Sequence, residues 1–287
     1  MRGMHFLSFP DDRAAQGTWR GLSRRALRAV AFSPPVRARL QARYERHFAT
    51  AQKAHLFRGV YGSFDEAARA APASKPIGYD NPGPAAMYRN LLETVHFSDY
   101  PVLFWMARAI TPSTKRLFDL GGHVGVRYYA FRTCLALPER LTWQVMDVPA
   151  VVQAGRELAA EKRASHLTFT ERRDDVAGAD ILFATGSLQY LEKPLHEILA
   201  PIPARPAHVI INQLPMQDGP AYYTLQSIGA AFCPYRIEDR GALVAGMAAL
   251  GYEKLDAWRT MEKHCPIPFH PEHSINGYEG MYFRARP

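Results

Sequence analysis

The chain is short of cysteine, of long apolar runs and of acid at its start. Cys134, Cys233 and Cys265 are its three cysteines, an odd number, widely spread and without a C-x-x-C pair. That excludes a disulfide framework and points to a reduced, cytosolic protein. No stretch approaches the ~18 uninterrupted apolar residues of a spanning helix. The opening MRGMHFLSFPDDR lacks the apolar centre and small-residue cleavage pattern of a secretory signal. No internal repeat or low-complexity run is present. Residues 1–58 hold twelve of the 35 basic residues but three of the 27 acidic ones, leaving 23 bases and 24 acids for the remainder. The net charge of +8 therefore belongs to the N-terminal segment. A near-neutral body does not suit a nucleic-acid cleft. The basic segment leaves open contact with an acidic membrane surface, such as the inner membrane, or with an anionic glycan carrier.

With 287 residues, 47% of them hydrophobic, the chain is expected to form one large domain, or one domain and an extension. Residues 19–57 carry apolar residues at helical spacing, interrupted by Pro34-Pro35, with arginines on the other faces. They read either as solvated helical faces or as an interfacial anchor. Residues 59–83 read as loop around a short helix at 64–71, and residues 87–110 as a second helical block. From Arg116 onward strands and helices alternate. Strands are expected at 116–120, 141–147, 167–171, 180–186, 208–214, 252–259 and 278–285. Helices are expected at 125–136, 149–163, 193–200 and 239–250. Such alternation predicts an α/β fold with a mostly parallel sheet covered by helices on both faces, closed by a hairpin at one edge. The expected division is a basic helical extension over 1–58, a helical and loop cap over 59–112, and a ligand-binding body over 113–287.

The organising stretch is RLFDLGGHVG, residues 116–125. Leu117, Phe118 and Leu120 make a buried strand, Gly121, Gly122 and Gly125 a tight turn, and a helix follows. Glycine permits positive φ and close approach of backbone to ligand. The helix start adds unpaired N–H groups. Asp119, just before the turn, adds a strong acceptor. The nicotinamide fingerprint G-x-G-x-x-G is missing, which weighs against a nicotinamide-dependent oxidoreductase. The pattern D-x-G-G-x-x-G instead resembles the first motif of class I S-adenosylmethionine (SAM)-dependent methyltransferases.

Asp147, followed by Val148, ends the second strand, 26 residues after Gly121. An acid there accepts from a ribose diol, or caps the helix opening at Pro149. Asp174-Asp175 follow the third strand, placed either for an adenine amine or in a solvated turn with Arg172 and Arg173. The fourth strand runs into Gly186-Ser187 at the carboxyl edge, where open α/β sheets place ligands. Gln189 and Tyr190 would wall that space. Residues 215–237 are aromatic and poor in charge. Tyr222 and Tyr223 there suit either an acceptor pocket or a lid or dimer surface. His264, Cys265, His270 and His273 invite a metal reading, but their spacing matches no regular zinc pattern, so no metal is expected.

Together GVYGSFDEA, YDNP, FDLGGHVG, MDVPAVVQAGRELA, ATGSLQYLEKP, INQLP, TLQSIGAAFCPYRI and GYEGMYFRA resemble a family of predicted bacterial class I methyltransferases. Its members are often encoded among genes for surface-polysaccharide or lipopolysaccharide synthesis. The resemblance covers residues 59–284. It implies a seven-stranded Rossmann-like sheet in the order 3-2-1-4-5-7-6, SAM as cofactor, and methyl transfer to a glycan, a lipid-linked sugar or a related small molecule. A non-catalytic docking partner with the same fold is the alternative. The cofactor would be held by Asp119, Gly121, Gly122, Gly125, Asp147, Val148, Asp174, Gly186 and Ser187. Methyl transfer to oxygen or nitrogen can use a base, and His123, His96 and Asp218 are the residues considered. Two departures stand out. His123 occupies a turn position where a small or polar residue is more usual, and Asn212-Gln213 stands where an acid–arginine pair is common.

Overall fold

The computed structural model describes residues 34–80 and 92–286. The expected helix over 19–32 and the first residues of the block at 87–110 lie outside them. The chain divides into two units, Met1–His47 and Phe48–Pro287. Helix α1 (Pro34–Thr50) opens on the proline pair, which suits a first helical turn that has no N–H partner to lose. In its first-unit part Arg37, Arg39, Arg43 and Arg46 are exposed. Of the expected apolar stripe, Tyr44 is buried but Leu40 is 44% exposed. No helix among the described residues is long and apolar enough to cross a membrane.

In the second unit the helical reading through Phe57 is corrected. Residues Ala54–Tyr61 form strand β1. After it come α2 (Phe64–Arg69), capped by the Ser63 hydroxyl accepting from Glu66 N, and α3 (Tyr100–Ala109). The sheet-forming body then follows the expected alternation closely. Strands β2 (Arg116–Leu120), β3 (Thr142–Met146), β4 (Leu167–Thr170), β5 (Ile181–Thr185) and β6 (His208–Leu214) alternate with three helices. These are α4 (Val126–Phe131), α5 (Pro149–Glu161) and α6 (Leu195–Leu199). Helix α4 is shorter than the expected 125–136.

After β6 come β7 (Met216–Gln217), β8 (Tyr222–Ile228), β9 (Phe232–Asp239) and α7 (Arg240–Ala249). A long hairpin, β10 (Tyr252–Cys265) and β11 (Ile275–Ala285), ends the chain. The main sheet has the order β10-β11-β6-β5-β2-β3-β4. Strands β6, β5, β2, β3 and β4 are parallel, and β11 enters antiparallel between β6 and β10. Read from β4, this is the order 3-2-1-4-5-7-6.

Alternation along β2 explains how the sheet is covered. Leu117 joins Trp143, Val145, Ile181 and Phe183 in a core closed by α3, α4 and α5. Phe118 and Leu120 join Leu182, Ala184, Val209 and Ile211 in the opposite core, closed by α6 and α7. A sheet buried on both faces yields near-continuous apolar runs, which is why these strands were legible.

Strands β1, β8, β9 and β7 form a second sheet, β1-β8-β9-β7. The loop, lid and dimer-surface readings of residues 59–61 and 215–237 are thereby corrected. Every residue of β8 is buried, so no polar–apolar alternation marks it as a strand. The sheet contains a buried ion pair, Arg236 Nη2 to Glu238 Oε1 at 3.0 Å. Phe48, the first residue of the second unit, stacks on Phe232 of this sheet at 5.1 Å.

Candidate functional site

The carboxyl ends of β2, β3, β5 and β6 share one edge, and the glycine turn crosses it. Gly121 and Gly125 take φ of +72° and +86°. A Cβ on Gly121 would lie 2.4 Å from Ser187 Cβ, and one on Gly122 would lie 2.4 Å from the Asp119 carboxylate. The turn is thus packed on Asp119 from one side and on the β5 end from the other. The Ser187 hydroxyl donates to Leu120 O at 2.5 Å, bridging the two strand ends.

Asp119 is fully buried. Its Oδ2 accepts from Trp143 Nε1 at 3.0 Å, and its Oδ1 has no partner. Burial pushes its carboxyl up to about 7, against the opposing pull of Trp143 and Arg127. Asp147 holds the turn to β3. Its Oδ2 accepts from His123 N at 2.9 Å and its Oδ1 from Val148 N at 2.8 Å. Burial raises this carboxyl to about 6, although those two backbone bonds pull it down. The helix-cap reading of Asp147 is corrected. Val148 is the N-cap of α5, and the carboxylate at that helix start is Asp80, whose Oδ1 accepts from Ala150 N at 3.2 Å. His123 is buried in the left-handed region, φ +57°, the conformation that a smaller residue would take with less strain.

Beyond β4, Asp175 accepts from Thr170 Oγ1 at 2.6 Å and pairs with Arg172 at 3.3 Å. Asp174 is exposed beside it. Past β5, Gly186 takes φ +64°, and a Cβ there would sit 3.3 Å from Gln213 Oε1, 3.6 Å from Lys263 Nζ and 3.9 Å from Gln189 Nε2. Gln189 is 2% exposed with its Oε1 unpartnered, and Thr185 Oγ1 is likewise buried without a partner.

A charged cluster missed in the sequence surrounds this edge. Arg127, in the first turn of α4, pairs with Asp99 at 3.0 Å. Asp99 is wholly buried, also accepts from His96 N at 2.9 Å, and keeps Oδ1 unpartnered. Burial raises its carboxyl above the usual range, with Arg127 opposing. Lys263, from the far part of β10, approaches the same group. Burial and then Arg127 lower its amine to about 8, while Asp99 and Glu262 oppose. Glu262 accepts from Ser98 N at 3.0 Å. His96 joins this group through its backbone N–H, which donates to Asp99 Oδ2. Asn212 and Gln213 serve here as struts: Asn212 Nδ2 donates to Ser98 O at 3.1 Å and Gln213 Nε2 to Ser98 Oγ at 2.9 Å. The residues come from positions 96–99, 127, 212–213 and 262–263, so no local spacing could have revealed them.

Other expected residues fall elsewhere. Asp218 has an 89% exposed side chain and is ion-paired to Arg240, which also holds Glu279. Its reading as a base is corrected, because its carboxylate serves a surface ion pair. The Tyr222 hydroxyl donates to His273 O, and the Tyr223 hydroxyl donates to Glu192 O at 2.9 Å. Both residues are under 10% exposed. As successive strand residues they point to opposite faces, so the reading that both line one acceptor pocket is corrected. Tyr190 donates to Gln226 Oε1 at 2.8 Å and packs edge-on against Tyr79 and Tyr235. At the opposite, amino edge of the main sheet, Lys115, Arg116, Arg140, Thr142, Gln144, Thr168 and Gly178 line an open groove of about 480 Å³. It lies away from the glycine turn.

No protein-family model matches the chain, and no curated protein matches it. Solved structures are similar in fold. One is magnesium protoporphyrin IX methyltransferase from Synechocystis PCC 6803 with bound S-adenosylhomocysteine (SAH), at 10% identity over 65% of this chain and 80% of that one, TM-score 0.44. Another is a SAM-dependent methyltransferase from Mesorhizobium loti, at 12% identity over 67% and 99%, TM-score 0.44. A third is an O-methyltransferase from neocarzinostatin biosynthesis in complex with SAH and 1,4-dihydroxy-2-naphthoic acid, at 15% over 66% and 57%, TM-score 0.39. At such identities and scores the strand order itself has to identify the fold. The order 3-2-1-4-5-7-6 with an antiparallel seventh strand makes this a class I methyltransferase-like fold.

Proposed function

We propose that the chain is a SAM-dependent methyltransferase acting on a glycan, a lipid-linked sugar or a related small molecule. The observation that carries this reading is the set of buried polar atoms left unpartnered around the glycine turn: Asp119 Oδ1, Asp99 Oδ1, Thr185 Oγ1 and Gln189 Oε1. Buried polar atoms are ordinarily paired, so such a group around one turn suits a ligand rich in donors. SAM fits, since it offers an ammonium group and ribose hydroxyls.

In this reading Asp119 takes the ammonium, and the backbone of Gly121, Gly122 and Gly125 approaches the amino-acid part. Asp147, with Val148, takes the ribose. Asp174 takes the adenine amine, and Gly186 and Ser187 border the sulfonium. When bound, SAM supplies a methyl group for direct displacement. The chain's own task is to hold the acceptor atom in line and, for a hydroxyl or amine, to receive its proton. Gln189 and Tyr190 face the acceptor. Lys263 joins His96 and His123 as a group that can take the proton, because an amine held near 8 is partly neutral at working pH. The glycan class of acceptor rests on the sequence resemblance alone.

Calorimetric titration with SAM, SAH and NAD tests the reading: SAM and SAH should bind and NAD should not. In the same samples, competitive acetylation followed lysine by lysine across pH should give Lys263 a midpoint near 8 that saturating SAH suppresses. No heat with either nucleoside would sink the proposal. One observation favours the alternative of a non-catalytic partner with this fold, namely the Ser187 side chain packed over Gly121. Under that alternative neither nucleoside binds, or binding leaves Lys263 unprotected. The basic N-terminal segment adds contact with anionic surfaces to the proposal. Salt-sensitive pelleting with anionic vesicles, lost on deleting residues 1–50, is the expected sign, and equal pelleting of both chains would remove it.

A further inference from the structure

The connection between β10 and β11 reads PIPFHPEHS, residues 266–274. It is built as a fixed loop. Ile267 is 1% exposed and anchors its start. Ile267 N donates to Ser274 Oγ at 2.9 Å, and Ser274 Oγ donates to His270 O at 3.3 Å. Pro271–His273 form a 3₁₀ turn, with His273 N donating to His270 O at 3.1 Å. Tyr222, in the second sheet, donates its hydroxyl to His273 O, and its ring meets the His273 imidazole edge-on at 5.1 Å.

This loop geometry decides what three side chains do. At three residues per turn, positions i and i+3 eclipse, so His270 and His273 come to one side. Glu272 lies between them. Its Oε1 is 3.1 Å from His273 Nδ1 and 3.8 Å from His270 Nδ1, and ligand atoms of all three residues lie within 4.8 Å of one another. Around a tetrahedral zinc, with Zn–N and Zn–O bonds of about 2.0–2.2 Å, neighbouring ligand atoms stand about 3.3–3.5 Å apart. The two carboxylate–imidazole separations straddle that value. Two imidazoles and a carboxylate form a donor set that zinc and its neighbours accept. Among the described residues, no contact to the rest of the chain competes for these ligand atoms.

We propose that His270, Glu272 and His273 form a site for a divalent transition metal, independent of the SAM-binding edge. The expectation of no metal rests on the irregular spacing of His264, Cys265, His270 and His273 and on the prolines at 266, 268 and 271, whereas the ligand atoms that converge are those of His270, Glu272 and His273, without His264 or Cys265. His264 is exposed and pairs across the hairpin with Asn276, while the Cys265 thiol is wholly buried, where desolvation holds it well above its ordinary pKa. Glu272, which no regular zinc spacing includes, is the third ligand. Three protein ligands leave a fourth position for water. Bound metal would add a further clamp to the β10–β11 connection, which Tyr222 already ties to the second sheet.

The test is a zinc titration of the chelator-washed full chain by calorimetry, with thermal melts in parallel. The expected result is saturable binding at one ion per chain and a rise in melting temperature with zinc. His270→Ala and His273→Ala should each weaken binding by at least 10–100-fold, the loss typical of removing even an outer-shell partner, and should abolish the rise. His264→Ala should change neither. With cobalt as the probe, Glu272→Gln should alter the visible absorption of the bound ion. Glu272 is exposed and the two histidines are half-buried, and circular dichroism verifies that each variant is folded. Absence of saturable binding, or equal binding by the His270→Ala/His273→Ala double variant, overturns the proposal.

Discussion

The Asp119→Asn variant is expected to melt higher than the parent chain at pH 8 and to bind SAM more weakly. The folded carboxyl titrates at about 7 and the unfolded one near 3.8. The folded chain therefore keeps this proton longer, and the contribution of Asp119 to stability falls as pH rises from about 4 to about 7. At 1.36 kcal/mol per unit, the ionised group costs about 4 kcal/mol at pH 8. Asparagine removes that cost and leaves a buried amide short of a partner, a penalty of about 1–3 kcal/mol. The net gain, about 1–3 kcal/mol, should raise the melting temperature by roughly 2–10 °C. Near pH 4, where the parent carboxyl is neutral when folded, only the amide penalty remains and the variant should melt lower than the parent. At pH 8 affinity moves the other way from stability, because a hydrogen bond to a charged group is worth about 1.5–3 kcal/mol, or roughly 10–150-fold. In the parent chain SAM affinity should rise about tenfold from pH 6 to pH 8, as the carboxylate ionises. A variant with unchanged melting and unchanged affinity at pH 8 would make Asp119 an ordinary core residue.

Arg127→Met should be the most damaging single change at this edge. Arg127 is the cation paired with Asp99, at 3.0 Å, with side chains 11% and 0% exposed. Removing one member of a buried pair strands the other, at a cost of about 3–5 kcal/mol. For a chain of this size that lowers the melting temperature by on the order of 10 °C. The sign of the pH dependence distinguishes this from lost packing. Burial already raises the Asp99 carboxyl, and Arg127 is the largest force opposing the rise. Without it the carboxyl titrates higher still, so the deficit of the variant should shrink as pH falls and Asp99 becomes neutral. Adding Asp99→Asn should recover part of the loss, the coupling expected of contacting residues. A variant that melts like its parent at pH 8 would show that the pair contributes nothing. Because Arg127 also lowers the Lys263 amine, the midpoint of Lys263 should rise in the same variant.

What could be read in the one-dimensional chain was whatever is local. The strand at Arg116–Leu120, its glycine turn, the run of β and α elements to β6 and the helix α7 follow from short apolar runs, glycine punctuation and helical spacing, each confined to a few neighbouring residues. The Pro34 helix start and the basic character of residues 1–58 were visible for the same reason. The order of the strands came from resemblance, since periodicity does not state which strands pair. Tertiary structure alone decided the rest. Ala54–Tyr61 left the helical pattern because β8 offered it a partner. Tyr222 and Tyr223 became packing because both faces of their strand are covered. Asp99, Arg127 and Lys263 meet only because three separate elements end at one edge of the sheet, and a buried carboxylate there gathers cations from wherever the chain supplies them. His270, Glu272 and His273 are neighbours in sequence, yet their convergence depends on a 3₁₀ turn held by Tyr222 from the second sheet. Propensity and pattern act over a few residues, whereas burial and charge pairing act through space.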